Sequence, residues 1–395
     1  MELQYSKRIS ATKPYPFAEM DKQVARLRSS GKRVVDFGVG DPSSPTPDFV
    51  LHALSDAGRR HATTGYPSYI GSSGFREAAA RYMEQTFGLS LDANSQISST
   101  IGSKEAVFNF PLGFIDPGDT VICPTPGYPV YKTGTEFAGG TPYMVPLLPE
   151  NNFLMDLSAI PEDVARQAKI IWTNYPNSPT GVCAPRAWLE ELLAWSRKYN
   201  VMIAADEGCY IDIYFGARPL SILEVAGEGY DGVITFYSLS KRNNMTGYRC
   251  GFVAGDERII RGFQKVKTNI DSGTPNILQD VSALALLDME HIRQVREEYR
   301  AKRDIMVDAF ASAGLSAPLG DATFYLWQQG LPGMSGTDFA ERLLESGIVV
   351  TPGSAISETV GGRNPGELFV RFALVPPLSD VEYAAECIAK GFSKG

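Results

Sequence analysis

The sequence predicts an α/β protein: a large domain with a mostly parallel sheet covered by helices, followed by a smaller α/β domain. Three observations carry this. From about residue 48 to 290, short apolar runs alternate with longer amphipathic stretches, the pattern of a parallel sheet buried on both faces. Beyond residue 290 the order of strands and helices changes. A chain of 395 residues also exceeds what one hydrophobic core usually supports. The expected units are an N-terminal segment, 1–47, joining the small domain; a large domain, 48–290; and a small C-terminal domain, 291–395.

Taken in order, the periodicity of Phe17, Met20, Val24 and Leu27 predicts a short helix within 14–33. Residues 34–42 read as a strand running into a glycine turn, where Gly40 either admits a ligand close to the backbone or simply turns the chain. The proline-rich stretch 42–47 is a natural crossing point between domains. Helices are expected near 48–61 and 75–87. The loop between them, 64–74, carries Tyr66 and Tyr69 among Gly and Ser; these reach across a subunit interface or stand as ordinary surface tyrosines. Strand 97–101 leads into Gly102-Ser103-Lys104 and a helix start, whose unpaired N–H groups form an anion site, although many such turns bind nothing.

Strand 120–123 follows, and Tyr128 near its carboxyl end either lies flat on a ligand ring or packs in the core. Strand 170–173 ends in the loop Asn174 to Gly181. Helix 188–199 precedes strand 201–205, which ends at Asp206-Glu207. Two carboxylates there are costly to hold without a partner. A protonated ring nitrogen would be one partner; a helix cap or a salt bridge would be another. The small domain is expected to begin with a segment, 291–314, that starts with a long charged helix, followed by strand 323–328, helix 337–346, strands 347–351 and 367–373, and helix 380–391.

The stretch Ser238 to Arg249 stands out chemically. It follows the apolar run Val233, Ile234 and Phe236, so it holds Lys241 at the end of a buried strand. A hydroxyl, Ser238, lies three residues before that lysine, and a guanidinium, Arg249, eight after. A lysine amine condenses with an aldehyde, and Ser with Arg suits a phosphate dianion. An aldehyde and a phosphate on one small molecule describe pyridoxal 5'-phosphate (PLP). The alternative is a solvated basic loop.

Composition narrows the field. Hydrophobic content of 44% and charged content of 21% are ordinary for a globular protein. A net charge of −8 argues against a broad nucleic-acid or anionic-membrane surface. No run approaches the roughly 20 apolar residues of a membrane span, and Met1 to Thr12 lacks the apolar core of a signal peptide. The five cysteines are scattered without a C-x-x-C pair, as expected of reduced thiols in the cytoplasm. The three histidines have no ligand spacing, so no metal site is expected.

These pieces resemble the class I/II aminotransferases of PLP fold type I, from about Tyr15 to Phe392. The central stretch is similar to the family's S-x-S-K-x-x-x-M-x-G-x-R. The resemblance implies Lys241 as the lysine that bonds the PLP aldehyde and shuttles the substrate proton. Ser238, Arg249 and the amides of Ser103 and Lys104 would bind the phosphate, with Tyr66 from the other subunit of a homodimer. Gly71 and Arg76 follow Tyr66 at the family's spacing. Tyr128 would stack on the pyridine ring, Asp206 would pair with its nitrogen, and Tyr210 would hydrogen-bond its hydroxyl. Arg371 would fork onto the substrate α-carboxylate, with Gly40 lining the same pocket.

Two departures stand out. The family usually has Asn directly before P-T-G, contacting the ring hydroxyl; here Ser178 holds that position and Asn177 precedes it, so either could make the contact. The family tyrosine usually falls three residues after the aspartate, whereas here Cys209 does and Tyr210 is fourth. A one-residue bulge that keeps Asp206 in place is preferred to a swap with Glu207. Segments 238–249, 251–256 and 267–273 look like the branch containing LL-diaminopimelate and N-succinyl-diaminopimelate aminotransferases of lysine biosynthesis. The resemblance thus implies ping-pong amino transfer from an amino acid, glutamate being expected, to a 2-oxo acid. The alternatives are an aspartate, alanine or aromatic aminotransferase, or a PLP-dependent β-lyase.

Overall fold

The computed structural model describes residues 3–12, 24, 29, 31–63 and 65–391. Strand β1 (Val35–Asp36) comes first and finds its partner only late in the chain. The next strands are β2 (Ile97–Thr100), β3 (Thr120–Thr125), β4 (Thr141–Pro146), β5 (Ala168–Thr173), β6 (Met202–Gly208), β7 (Val233–Ser238) and β8 (Gly251–Gly255). They form a seven-stranded sheet in the order β2-β8-β7-β6-β5-β3-β4. Neighbours run parallel except at β8, which is antiparallel to both β2 and β7.

Both faces of this sheet are covered, which is why its strands read as continuous apolar runs. Every residue of β7 is buried. Side chains alternate between two cores, as the pleat requires. Val233 and Tyr237 join Ile171, Ile203 and Phe252 on one side. Ile234 and Phe236 join Ile170, Trp172 and Phe263 on the other. The helices Asp48–Arg60, Ser73–Phe87 and Asn276–Leu287 pack together on the first side.

The rest of the chain builds a second core. Strands β9 (Tyr325–Gln329), β11 (Thr351–Pro352) and β12 (Phe369–Ala373) form an antiparallel sheet in the order β11-β12-β9. Helices Met289–Ser312 and Leu378–Gly391 pack against each other beside it. Strand β10 (Ile348–Val349) pairs in parallel with β1, so Val35 and Phe37 are buried with Ile292, Phe310 and Phe372.

Three boundaries depart from expectation. The strand expected over 347–351 is two strands in different sheets, because the chain changes partner at Val350, from β1 to β12. The long helix begins at Met289, where the Asp288 carboxylate accepts from the His291 N–H at 2.7 Å and caps it. Strand β6 runs on through Asp206 and Glu207 to Gly208, with a register shift against β7 between Ala205 and Gly208. The helix expected within 14–33 lies outside the described residues apart from Val24, Ser29 and the non-helical residues 31–33, and Tyr15 lies outside them too. Among the described residues no helix is long and apolar enough to cross a membrane.

Candidate active site

A cavity of about 660 Å³ opens where β3, β5, β6 and β7 end, the position at which open α/β sheets bind ligands. It is lined by Gly40, Ser103, Lys104, Tyr128, Ser178, Asp206, Tyr210, Ser238, Lys241, Arg249 and Arg371, side chains drawn from well-separated segments.

Lys241 is carried on the short helix Leu239–Arg242 directly after β7. Ser238 caps this helix, its hydroxyl accepting from the Ser240 N–H at 3.2 Å. The next side chain, Arg242, points into the core and is 2% exposed. There it pairs with buried Asp212 at 2.7 Å, and Tyr82 donates to the same carboxylate at 2.8 Å. A guanidinium this deeply buried and fully engaged anchors the helix, so Lys241 projects into the cavity from a fixed base. The Lys241 amine donates to the Gly40 carbonyl. Gly40 cannot carry a side chain here, since a Cβ would lie 2.0 Å from the Tyr325 hydroxyl.

Arg249 adopts a left-handed backbone (φ 53°) and donates to the carbonyls of Thr246 at 2.8 Å and Ile101 at 3.2 Å. Its guanidinium sits against Gly102, where a Cβ would come within 2.2 Å of Nη2. Gly102 therefore lets a cation lie beside the amides that open the helix Ser103–Asn109. Ser238 and Ser240 complete this corner, their hydroxyls 2.9 Å apart.

The two carboxylates of β6 have different surroundings. Glu207 is spent in the core: its oxygens accept from Ser221, from the Tyr237 hydroxyl at 2.9 Å and from the Ile222 N–H at 3.2 Å. Burial still pushes its carboxyl up to about 7. Asp206 faces the cavity. Its Oδ2 accepts from Tyr131 at 2.7 Å, and that ring stacks on Trp172 with centroids 4.9 Å apart. Its Oδ1 is buried with no hydrogen-bond partner. Burial pushes this carboxyl up to about 6, against the pull of the Tyr131 hydrogen bond and of the nearby Cys209 thiol, a weak donor that meets no hydrogen-bond geometry to Oδ1. A buried acceptor of this kind is expensive unless something cationic or protic meets it.

Two of the sequence-predicted residues lie elsewhere. Asn177 is fully buried outside the cavity lining, and its side chain is consumed by its own loop. It accepts from the Thr180 N–H at 3.1 Å and hydroxyl at 2.7 Å, and donates to the Asn174 carbonyl. Of the pair considered at this turn, only Ser178 lines the cavity. Tyr66 is 86% exposed and does not line it either. Its loop is held by Gly71 (φ +99°), packed on Ser99, and by Arg76, which donates to the Gly71 carbonyl at 3.3 Å.

Other lining residues carried no separate expectation. Asn174 donates to the Asp206 carbonyl and accepts from the Ser178 N–H at 2.8 Å. Cys209 lies 3.2 Å from the Ser103 hydroxyl, and burial pushes its thiol up to about 12. Tyr325 meets Tyr210, hydroxyl to hydroxyl, at 3.2 Å. The available signal was their position: Asn174 and Tyr325 both sit at strand termini. Among the described residues, no group of three or more His, Cys, Asp or Glu is placed to hold a metal ion.

A lysine amine, a phosphate-suited corner and an unsatisfied buried carboxylate in one cavity invite comparison with known proteins. The family model for aminotransferase class I and II matches residues 32–388. The chain belongs to that family. This aminotransferase is 44% identical over 388 residues to LL-diaminopimelate aminotransferase of Aquifex aeolicus, covering 98% of each chain. It is 43% identical to the LL-diaminopimelate aminotransferase of Syntrophobacter fumaroxidans, with the same coverage. Among solved structures it is similar to a probable N-succinyldiaminopimelate aminotransferase from Thermus thermophilus, with TM-score 0.87 and 31% identity over 95% of this chain and 100% of that one. An aspartate aminotransferase from Thermus thermophilus with maleate superposes with TM-score 0.88 at 28% identity, over 99% of this chain and 100% of that one. The aminotransferase is thus an enzyme of the PLP-dependent transaminase type, with the α/β architecture of those neighbours.

Proposed function

We propose that this aminotransferase holds PLP in the 660 Å³ cavity and moves an amino group between glutamate and a 2-oxo acid of the diaminopimelate type. The observation that carries the reading is Asp206 Oδ1, buried and without a partner in the same cavity as Lys241 and Arg249. A protonated pyridine nitrogen would satisfy that oxygen and offset the cost of burying it. Arg249, Ser238 and the amides of Ser103 and Lys104 would hold the phosphate, joined by the partner subunit's Tyr66 in a homodimer. Tyr128 would stack on the ring, Tyr210 would donate to its hydroxyl oxygen, and Ser178 offers a second hydroxyl nearby.

When bound, PLP supplies an electron-accepting ring that stabilises charge at the substrate α-carbon. Everything else falls to the chain. Arg371 presents its planar fork to the α-carboxylate, with Gly40 lining the same cavity. Lys241 Nζ, in the same cavity, would be the base that takes the proton from the substrate α-carbon and the acid that hands it back. The large unit, 48–290, carries the cofactor groups, while Gly40, which follows β1, and Arg371, on β12, come from outside it. The 44% identical relative named for LL-diaminopimelate supports that substrate class. A cytoplasmic location accords with such a biosynthetic role.

The test is a half-reaction screen. The PLP-loaded protein is incubated with single amino acids, and the oxo-acid product is identified by mass spectrometry. Glutamate and LL-diaminopimelate are expected to react. Reaction confined to aspartate, alanine or aromatic amino acids would overturn the substrate assignment. Release of pyruvate from cystathionine as the main activity would make the protein a β-lyase.

A further inference from the structure

We propose that Tyr325 is a positioning residue with two separable tasks: its ring seats the Arg371 guanidinium, and its hydroxyl orients Tyr210. The inference rests on the roles just given to Arg371 and Tyr210, and goes beyond them by naming the residue that couples the two.

Tyr325 opens β9 and pairs in register with Ala373 of β12, two residues beyond Arg371. It is 6% exposed, yet its side chain lines the cavity. The Arg371 Cζ stands 4.5 Å from the centre of its ring, within range of a desolvated cation–π contact. Its hydroxyl lies 3.2 Å from that of Tyr210, and the two rings meet edge to face at 5.5 Å. Phe324 packs beside the ring at 4.7 Å, and the Thr323 hydroxyl accepts from the Tyr325 N–H at 3.0 Å. The glycine at position 40 is what makes space for the phenol, since a Cβ there would collide with it at 2.0 Å.

The two tasks follow from the two ends of the side chain. Arg371 Nη2 donates to the Gly38 carbonyl at 2.7 Å and to the Thr351 hydroxyl at 3.4 Å, and the π face of Tyr325 holds the guanidinium plane without using a further N–H group. A pair of touching hydroxyls shares one hydrogen bond, leaving one hydrogen to point elsewhere. If Tyr210 donates to the ring oxygen of the cofactor, its lone pair accepts from Tyr325, and that acceptance strengthens its donation. Burial first, and Tyr325 second, push the Tyr210 phenol well above its ordinary range, so it stays a donor.

The experiment uses the PLP-loaded protein and two readouts other than turnover: calorimetric affinity for maleate, a dicarboxylate that cannot be transaminated, and the pH titration of the cofactor's visible absorbance. Tyr325→Leu should weaken maleate binding about tenfold, as loss of a buried cation–π contact would. If that variant does not fold, Tyr325→Met serves instead. Tyr325→Phe should leave maleate affinity within about twofold and move the titration midpoint up by about half to one pH unit, the worth of one hydrogen bond. Arg371→Lys and Tyr210→Phe serve as references. Unchanged maleate affinity in the Leu or Met variant, with weakening in Arg371→Lys, overturns the ring's task. An unmoved midpoint in Tyr325→Phe, with movement in Tyr210→Phe, overturns the hydroxyl's task. If both reference variants are silent, the roles of Arg371 and Tyr210 themselves fall, and this proposal with them.

Discussion

Successive side chains on a strand point to opposite faces, so Asp206 and Glu207 cannot both reach the cavity. The three donors around Glu207 sit on the core side, and Asp206 is left with one oxygen satisfied and one not. This has a pH signature. In the cofactor-free protein Asp206 is pushed from its ordinary 3.8 up to about 6, so the folded state keeps a proton that the unfolded chain has already released. That stabilisation is fully present below pH 3.8 and is lost as pH rises through about 6. Its size is at most about 3 kcal/mol by the linkage relation. Asp206→Asn removes the titrating group, so the melting-temperature difference between wild type and variant should change across that window and level off above it. PLP should flatten the wild-type dependence, because a protonated ring nitrogen favours the carboxylate. A difference constant from pH 4 to 7 would contradict the burial of an unpartnered carboxyl. At this scale the sequence was most legible where spacing is local: Ser238, Lys241 and Arg249 lie within one motif and reach one cavity. Asn174, Tyr131 and Tyr325 were less legible: a strand-end position was the one signal for Asn174 and Tyr325, and Tyr131 reaches the site from the helix Val130–Phe137. Asn177 misled because an amide beside a turn has two uses, and its own loop claims it.

Among the elements, β6 decides most. The extra residue between the aspartate and the tyrosine is absorbed by the register shift between Ala205 and Gly208. The strand thus keeps its pairing with β7 and still delivers both Asp206 and Tyr210 to the cavity. Gly208 makes this possible. A methyl there would lie 2.2 Å from Tyr237 Cδ1 and 2.6 Å from the Phe236 carbonyl, and neither can withdraw: Tyr237 stacks on Phe252 and the carbonyl belongs to β7. Gly208→Ala should therefore cost roughly 1–3 kcal/mol of stability, the usual range for overpacking. It should also weaken PLP binding, since any relief moves Asp206 or Tyr210. Thermal denaturation and a PLP titration check this, and an unchanged melting temperature would contradict it. The bulge itself was foreseeable from a one-residue offset. The division of the strand expected over 347–351 was not, because continuous apolar character says nothing about which neighbour each residue pairs with. Strands β4 and β8 were equally silent: proline in one and glycine in the other mask the strand pattern, and sheet pairing overrides local preference.

For the whole molecule, the cavity of one chain is an incomplete phosphate site if Tyr66 acts from a second copy. Tyr66 is 86% exposed, in a loop whose far end is anchored by Gly71 and Arg76, so its phenol faces outward from the chain. Side chains so exposed contribute little to their own fold. If a two-fold dimer brings this tyrosine to the partner's cavity, Lys241 and Tyr66 of one chain serve different sites, and defects in them should complement. Lys241→Ala should lower turnover by at least about a thousandfold through loss of proton transfer. Tyr66→Phe should weaken PLP roughly tenfold or more through loss of a hydrogen bond to a charged group. Mixing the two variants at limiting PLP, under conditions that let subunits exchange, places a wild-type Lys241 and a wild-type Tyr66 together in one site of each hybrid. Random pairing makes half the dimers hybrid with one intact site each, so activity should recover to about a quarter of wild type. If Tyr66 instead served its own chain, each hybrid would carry one defect in each site and mixing would restore nothing. The activity of the mixture, compared with the sum of its unmixed parts, separates the two arrangements.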